Sequence, residues 1–408
     1  MGIAEKIAFP YGLSGVIGSV KTRDETAVFF GADFLGMEKQ PGFDKQLFVD
    51  GTNAMLAYMR RNFPNSRLLY QPHPNEVDEH TYLDLQGFER GEKMVAEVFL
   101  YTHAADIVFV LSACSGASVS AYAMGFNAFV GIKLLEKALS PEIMSGYREY
   151  LAGTPESFFL NSLDATVPSR SSPAKEDESH SIARLKEAVG SPKKLWVLVQ
   201  SPSFMVQASL ILKYARAGNP DLKAGILKVG GGRWRKTADV STLERDFDDV
   251  VHVREHRVLY SARPLHLLKA ALVAFSIRNL PIKRGDAVVS FCYTMFEEDC
   301  IISYFKKKAR MIGIIENRWF HFTFVDMGKS LPASGFRAPL GALAFAWILE
   351  PLLGLYRTIT KEYGAGVVIN IFRYRAPLES VYDIALVTVP MVPKGDAKIT
   401  TGRYTPLT

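Results

Sequence analysis

Short apolar runs, each followed by a stretch with helical spacing, constrain the fold of this chain more than any other feature. In the amino-terminal half the runs are 27–30 (AVFF), 68–70 (LLY) and 107–111 (IVFVL), with helical patterns at 52–62, 92–103 and 118–124. In the carboxyl-terminal half they are 195–199 (LWVLV), 224–229, 250–253, 287–291 and 311–315, with helical patterns at 203–217, 265–277 and 297–307. A strand that lacks polar alternation must be covered on both faces, which calls for a parallel sheet flanked by helices. Repeated strand–helix alternation therefore predicts an α/β protein with two Rossmann-like domains facing each other across a cleft. No internal repeat relates the two halves.

Length fits that division, because 408 residues are more than one ordinary core accommodates. Apolar residues at 48% and charged residues at 22% exclude a disordered tail. Residues 164–194 are rich in Ser, Pro and charge, with apolar side chains only in a short helical stretch at 182–189. The expected organisation is a first domain at 1–163, a linker at 164–194 and a second domain at 195–408. Three cysteines cannot build a disulfide framework, and their spacing fits no zinc site. The opening residues have no secretory pattern, so a cytoplasmic location is expected. A net charge of +6 favours anionic partners without the density that nucleic acid demands. The apolar segment 338–356 (APLGALAFAWILEPLLGLY) contains Glu350 and Pro351. It reads as a buried core helix or an interfacial one rather than a span. The amphipathic stretch 265–280 likewise suits core packing or contact at the inner membrane surface.

Chemistry concentrates at two strand ends. Tyr70-Gln71-Pro72-His73-Pro74-Asn75-Glu76 leaves a strand where α/β domains place ligand-contacting loops. Two prolines stiffen the backbone around His73, whose imidazole can donate to a phosphate or neutralise a leaving group. The same sequence also suits a turn whose histidine faces solvent. Some forty residues later a buried strand runs into Ser112-Ala113-Cys114-Ser115-Gly116-Ala117-Ser118 and then a helix. Free N–H groups at such a helix start, with the Ser115 and Ser118 hydroxyls, form an anion site, although serine is also an ordinary N-cap. Other loops are weaker: Gly230-Gly231-Gly232-Arg233 lacks both phosphate-loop and dinucleotide spacing, and neither HExxH nor GxSxG occurs.

The two motifs together resemble the donor half of bacterial sialyltransferases and polysialyltransferases of the GT-B fold. Their His-Pro motif is similar to His73-Pro74, with Glu76 at the acidic position some members carry. Their serine motif is similar to Ser115-Gly116, with Ala121 and Gly125 following, although Gly116 replaces a second hydroxyl. The resemblance spans about 27–125 and implies that His73, Pro74, Glu76, Ser112, Ser115, Gly116 and Ser118 hold the phosphate of a CMP-activated sugar. It implies transfer of sialic acid or a related nonulosonic acid to a glycan hydroxyl, with inversion and with neither metal nor cofactor. His73 would assist departure of CMP. The family's acidic motif would follow residues 311–315, where Glu316-Asn317-Arg318 keeps one carboxylate of the pair. Glu316 is thus the expected base, or else a surface carboxylate paired with Arg318. Glu297, Glu298 and Asp299 are the second choice, three acids more simply explained by the helix dipole and solubility. In the family the acceptor domain comes first; here the donor-like half does, as a circular permutation would give. A CMP-Kdo-dependent transferase and an inert nucleotide- or glycan-binding protein are the alternatives. The implied partners are the CMP-sugar and the glycan acceptor, with peripheral contact at the inner membrane and no nucleic acid.

Overall fold

The computed structural model describes residues 3–13, 16–17, 25–74, 76, 82–151, 154–164, 166–167, 178–229, 240–253, 275–291, 296–315, 382–389, 399–400 and 403–404. Strands are numbered in chain order. The smaller sheet holds β2 (Thr26–Phe30), β3 (Arg67–Gln71), β4 (Glu89–Arg90), β5 (Ile107–Ser112) and β6 (Ala128–Val130), ordered β4-β3-β2-β5-β6. The larger holds β1 (Ile3–Ala8), β7 (Lys194–Val199), β8 (Lys223–Val229), β9 (Asp249–Val253), β10 (Ala287–Ser290), β11 (Arg310–Ile315) and β12 (Ile384–Val389), ordered β1-β12-β11-β10-β7-β8-β9. Every pairing in both sheets is parallel.

Both orders carry the Rossmann signature. Counted along each unit, the smaller sheet reads 3-2-1-4-5, and the larger reads 3-2-1-4-5-6 with β1 added beyond its last strand. The strand order reverses between β2 and β5 in one sheet and between β7 and β10 in the other. The two sheets of an α/β protein are thus as the apolar runs require, and the reason is burial. All five residues of β2 and five of the six in β7 are buried, so no polar face is left to alternate.

Helices follow from capping as much as from periodicity. Lys45–Asn62 starts at Asp44, whose side chain accepts from Leu47 N–H, and it buries Phe48, Met55, Leu56, Tyr58 and Met59. The 52–62 pattern captures only its later turns. The helices Ala96–Thr102 and Gly116–Ala123 pack on each other, and Met205–Arg216 lies on β7.

Two boundaries differ from the sequence expectation. Ile3–Ala8 pairs with β12 in register Ile3↔Ile384 through Ala8↔Val389, so the chain opens in the larger sheet before it builds the smaller one. The region 164–194 does not act as linker throughout. Glu178–Val189 is a helix that buries Ser181, Leu185, Ala188 and Val189 and packs on Met205–Arg216. Its four buried positions share one stripe, and the helical stretch expected at 182–189 covers all but its first turn.

The segment that leaves β1 is pinned to helices of the larger unit. The Tyr214 hydroxyl donates to the Pro10 carbonyl at 2.7 Å, Gln207 Nε2 donates to the Tyr11 hydroxyl at 2.8 Å, and Gly12 N–H donates to Glu178 Oε1 at 3.1 Å. One apolar core runs from Phe29 and Phe109 in the smaller sheet to Val197 and Ile312 in the larger. Among the described residues no helix is long and apolar enough to cross a membrane. The apolar segment 338–356 lies outside them, and 265–280 is described only from 275 onward.

Candidate functional site

The carboxyl end of β2 is flanked by the two loops that carry the sequence motifs. Phe30 pairs with Gln71 of β3 on one side and with Ser112 of β5 on the other. Pro72 and His73 therefore leave the sheet next to Gly31 on one flank, and Ala113 to Ser115 leave it on the other. Two ladder spacings separate the flanking strands by about 9.5 Å. The gap lies at the strand-order reversal of this sheet, where open α/β sheets bind ligands.

Glu76 builds the first wall. Its Oε2 accepts from the Tyr70 hydroxyl at 2.8 Å and from His73 N–H at 3.2 Å, while its own N–H donates to the His73 carbonyl at 2.8 Å. Arg90 Nη2 reaches Oε1 at 3.2 Å. The Glu76 side chain is only 4% exposed. Burial pushes its carboxyl above the usual range, against the opposing pull of Tyr70, His73 N–H, Arg90 and Lys93. Glu76 thus closes the proline turn on itself. The fit is tight at Gly31, where a Cβ would come within 2.5 Å of the Tyr70 hydroxyl and 2.7 Å of Glu76 Oε2. His73 is half-buried, and burial holds its imidazole below the usual range while nearby Asp33 pulls the other way. At neutral pH it is the uncharged form, a donor and an acceptor rather than a cation. Pro74 is half-buried beside it.

The serine loop builds the second wall. Ser115 caps Gly116–Ala123, its Oγ accepting from Ala117 N–H at 3.2 Å. Gly116, the first helical residue, has an N–H with no intrahelical carbonyl to reach. Both residues are half-buried. Ser112 and Ser118 are different: each is fully buried, Ser118 Oγ donates to Ser112 Oγ at 2.7 Å, and Ser115 N–H donates to Ser112 Oγ at 3.2 Å. Their hydroxyls brace the loop from inside, which leaves Ser115 and Gly116 as its outward-facing groups. Cys114 is buried, with its thiol pushed up to about 11 by burial, and is no nucleophile at neutral pH.

Further residues join this site. Asp33 caps Phe34–Glu38 by accepting from Gly36 N–H and faces His73 electrostatically. Glu97, in the first turn of Ala96–Thr102, accepts from Ser120 Oγ at 2.7 Å, and burial raises its carboxyl. Ser120 stands one turn beyond Gly116, so this carboxyl lies about 6 Å along the helix from the open N–H. An acid right after a strand, as in Gly31-Ala32-Asp33, is a pattern that could have been noticed. Arg90 and Glu97 reach the site only through folding.

Glu316, with Asn317 and Arg318, lies outside the described residues, as does the side chain of Asp299. Glu297 and Glu298 overturn the solubility reading: they are 3% and 1% exposed, and Ser290 Oγ donates to Glu298 Oε1. Both acids lie in the first turn of the helix Phe296–Phe305, and the Ser290 bond ties that turn to the last residue of β10. Among the described residues, no group of three His, Cys, Asp or Glu side chains is placed to hold a metal ion. No protein-family model matches the chain, and no curated protein matches it.

Proposed function

We propose that this chain is an inverting glycosyltransferase that moves sialic acid or a related nonulosonic acid from a CMP donor to a glycan hydroxyl. The observation that carries the reading is the pairing of the His73 turn and the Ser115 helix start on either side of one strand end, at the reversal of a Rossmann-ordered sheet. An imidazole donor and an open helix-start N–H facing one gap of this width suit a nucleotide phosphate.

In the reaction the bond from the donor's anomeric carbon to the phosphate oxygen breaks, and the acceptor oxygen bonds to the opposite face of that carbon. The electron pair leaves with CMP. Gly116 N–H and the Ser115 hydroxyl would hold the phosphate, and His73 would donate to it as negative charge accumulates. Glu76 orients His73 through its backbone. Glu316 would take the acceptor proton. A GT-B arrangement, with the larger sheet closing the cleft, is supported by one contact: the turn Pro202–Phe204, just beyond β7, packs on helix Ala96–Thr102, whose first turn lies at the ligand end of the smaller sheet.

The test is nucleotide release from a panel of CMP-sugars offered with mixed glycans. Release with CMP-sialic acid that requires acceptor is the expected outcome, and release only with CMP-Kdo would move the reading to the alternative donor. His73→Ala is expected to lower kcat about 10²–10³-fold. Glu316→Gln is expected to abolish turnover while CMP still binds. CMP binding without turnover on any donor would leave an inert nucleotide-binding protein.

A further inference from the structure

The strand-order reversal of the larger sheet holds a polar cluster that the donor site does not use. Gln200 directly follows β7, is wholly buried, and among the described residues has no hydrogen-bond partner at either Nε2 or Oε1. Ser290, the last residue of the adjacent β10, is paired in register with Leu198. Gln200 therefore lies one residue pair, about 7 Å, beyond the Ser290 level. Ser290 Oγ donates to Glu298 Oε1, and the Tyr382 hydroxyl lies 3.4 Å from Ser290 Oγ. Glu297 is buried beside Glu298. A buried carboxamide left without partners is costly at each unmet group, and such a group calls for an explanation.

We propose that the gap between the β7 and β10 ends is a second ligand site, one that takes a neutral, hydroxyl-rich group such as a sugar ring, with Gln200 as its reader. Chemistry selects the occupant. The carboxamide offers a donor and an acceptor, and a hydroxyl answers both. This cluster holds two acids and no cation, so it lacks the positive group or open N–H that would favour a phosphate or a carboxylate. The proposal rests on the transferase reading only in naming the occupant as the acceptor; the site itself stands on Gln200.

Saturation-transfer NMR of the full chain with galactose, N-acetylglucosamine and lactose tests it, alongside titration with CMP. Wild-type protein is expected to show transfer to at least one of these sugars. Gln200→Leu and the volume-conserving Gln200→Met should each cut that affinity at least tenfold, with an unchanged or higher Tm and unchanged CMP binding. Sugar binding that survives in whichever variant folds, or no sugar binding by the wild type, would overturn the proposal. A Tm gain with sugar binding intact would mark Gln200 as a water-filled defect and overturn it too. Sugar binding lost with Gln200 in a protein that never binds CMP would keep this site and remove the transferase reading.

Discussion

Glu97 shows what a single half-buried acid does to this molecule. Its folded value lies above that of the unfolded chain because burial disfavours the charged form, with Ser120 pulling against the shift. Between the two values the folded protein holds a proton that the unfolded chain releases, so stability falls as pH rises through that window and the loss is complete above it. Glu97→Gln keeps an acceptor for Ser120 and removes the titration. It should raise Tm at pH 8 and leave Tm near pH 4 unchanged, as read by thermal melts across pH. An equal effect at both values would show that burial of the charge is not what matters. Glu76 is raised by burial in the same direction, with Arg90 and two hydrogen-bond donors opposing the shift. His73 and Glu76 stood out in the sequence by their prolines and their position. Their division of labour did not, since only packing makes one the clamp and the other the contact.

At the scale of elements, Ser115 has two duties that substitution can separate. Ser115→Ala removes the cap on Gly116–Ala123 and should cost about 1 kcal/mol, measured by denaturant melts. Ser115→Asp caps as well as serine but places a negative charge at the phosphate position. It should leave stability within a few tenths of a kcal/mol and weaken CMP binding at least tenfold by calorimetry. Unchanged affinity in Ser115→Asp would take the anion away from this helix start. The buried strands were readable in advance because continuous burial leaves its mark on every residue. β4 is two residues long and β6 three, too short to carry a pattern. The helix Glu178–Val189 was legible over 182–189, but its polar surroundings made the region read as a linker, and its packing on Met205–Arg216 emerges only in the fold.

For the whole molecule the order of the chain matters most. The polypeptide lays β1 on the edge of the larger sheet, builds the smaller sheet, and returns to complete the larger one. Deleting residues 1–8 should expose the β12 edge. Hydrogen exchange is expected to speed up across Ile384–Val389 while Thr26–Phe30 keeps its protection; unchanged exchange at β12 would make β1 a dispensable edge. The sequence alone determined that this is an α/β chain with two parallel sheets and that His73 and Ser115 lie in loops leaving strand ends, because burial on both faces and fixed turns are written in neighbouring residues. Only the tertiary structure decided that β1 belongs to the far sheet, that Ser112 and Ser118 face each other, and that Gln200, Glu297 and Glu298 lie buried. Those facts depend on pairings between residues up to hundreds of positions apart, which no local pattern of side chains encodes.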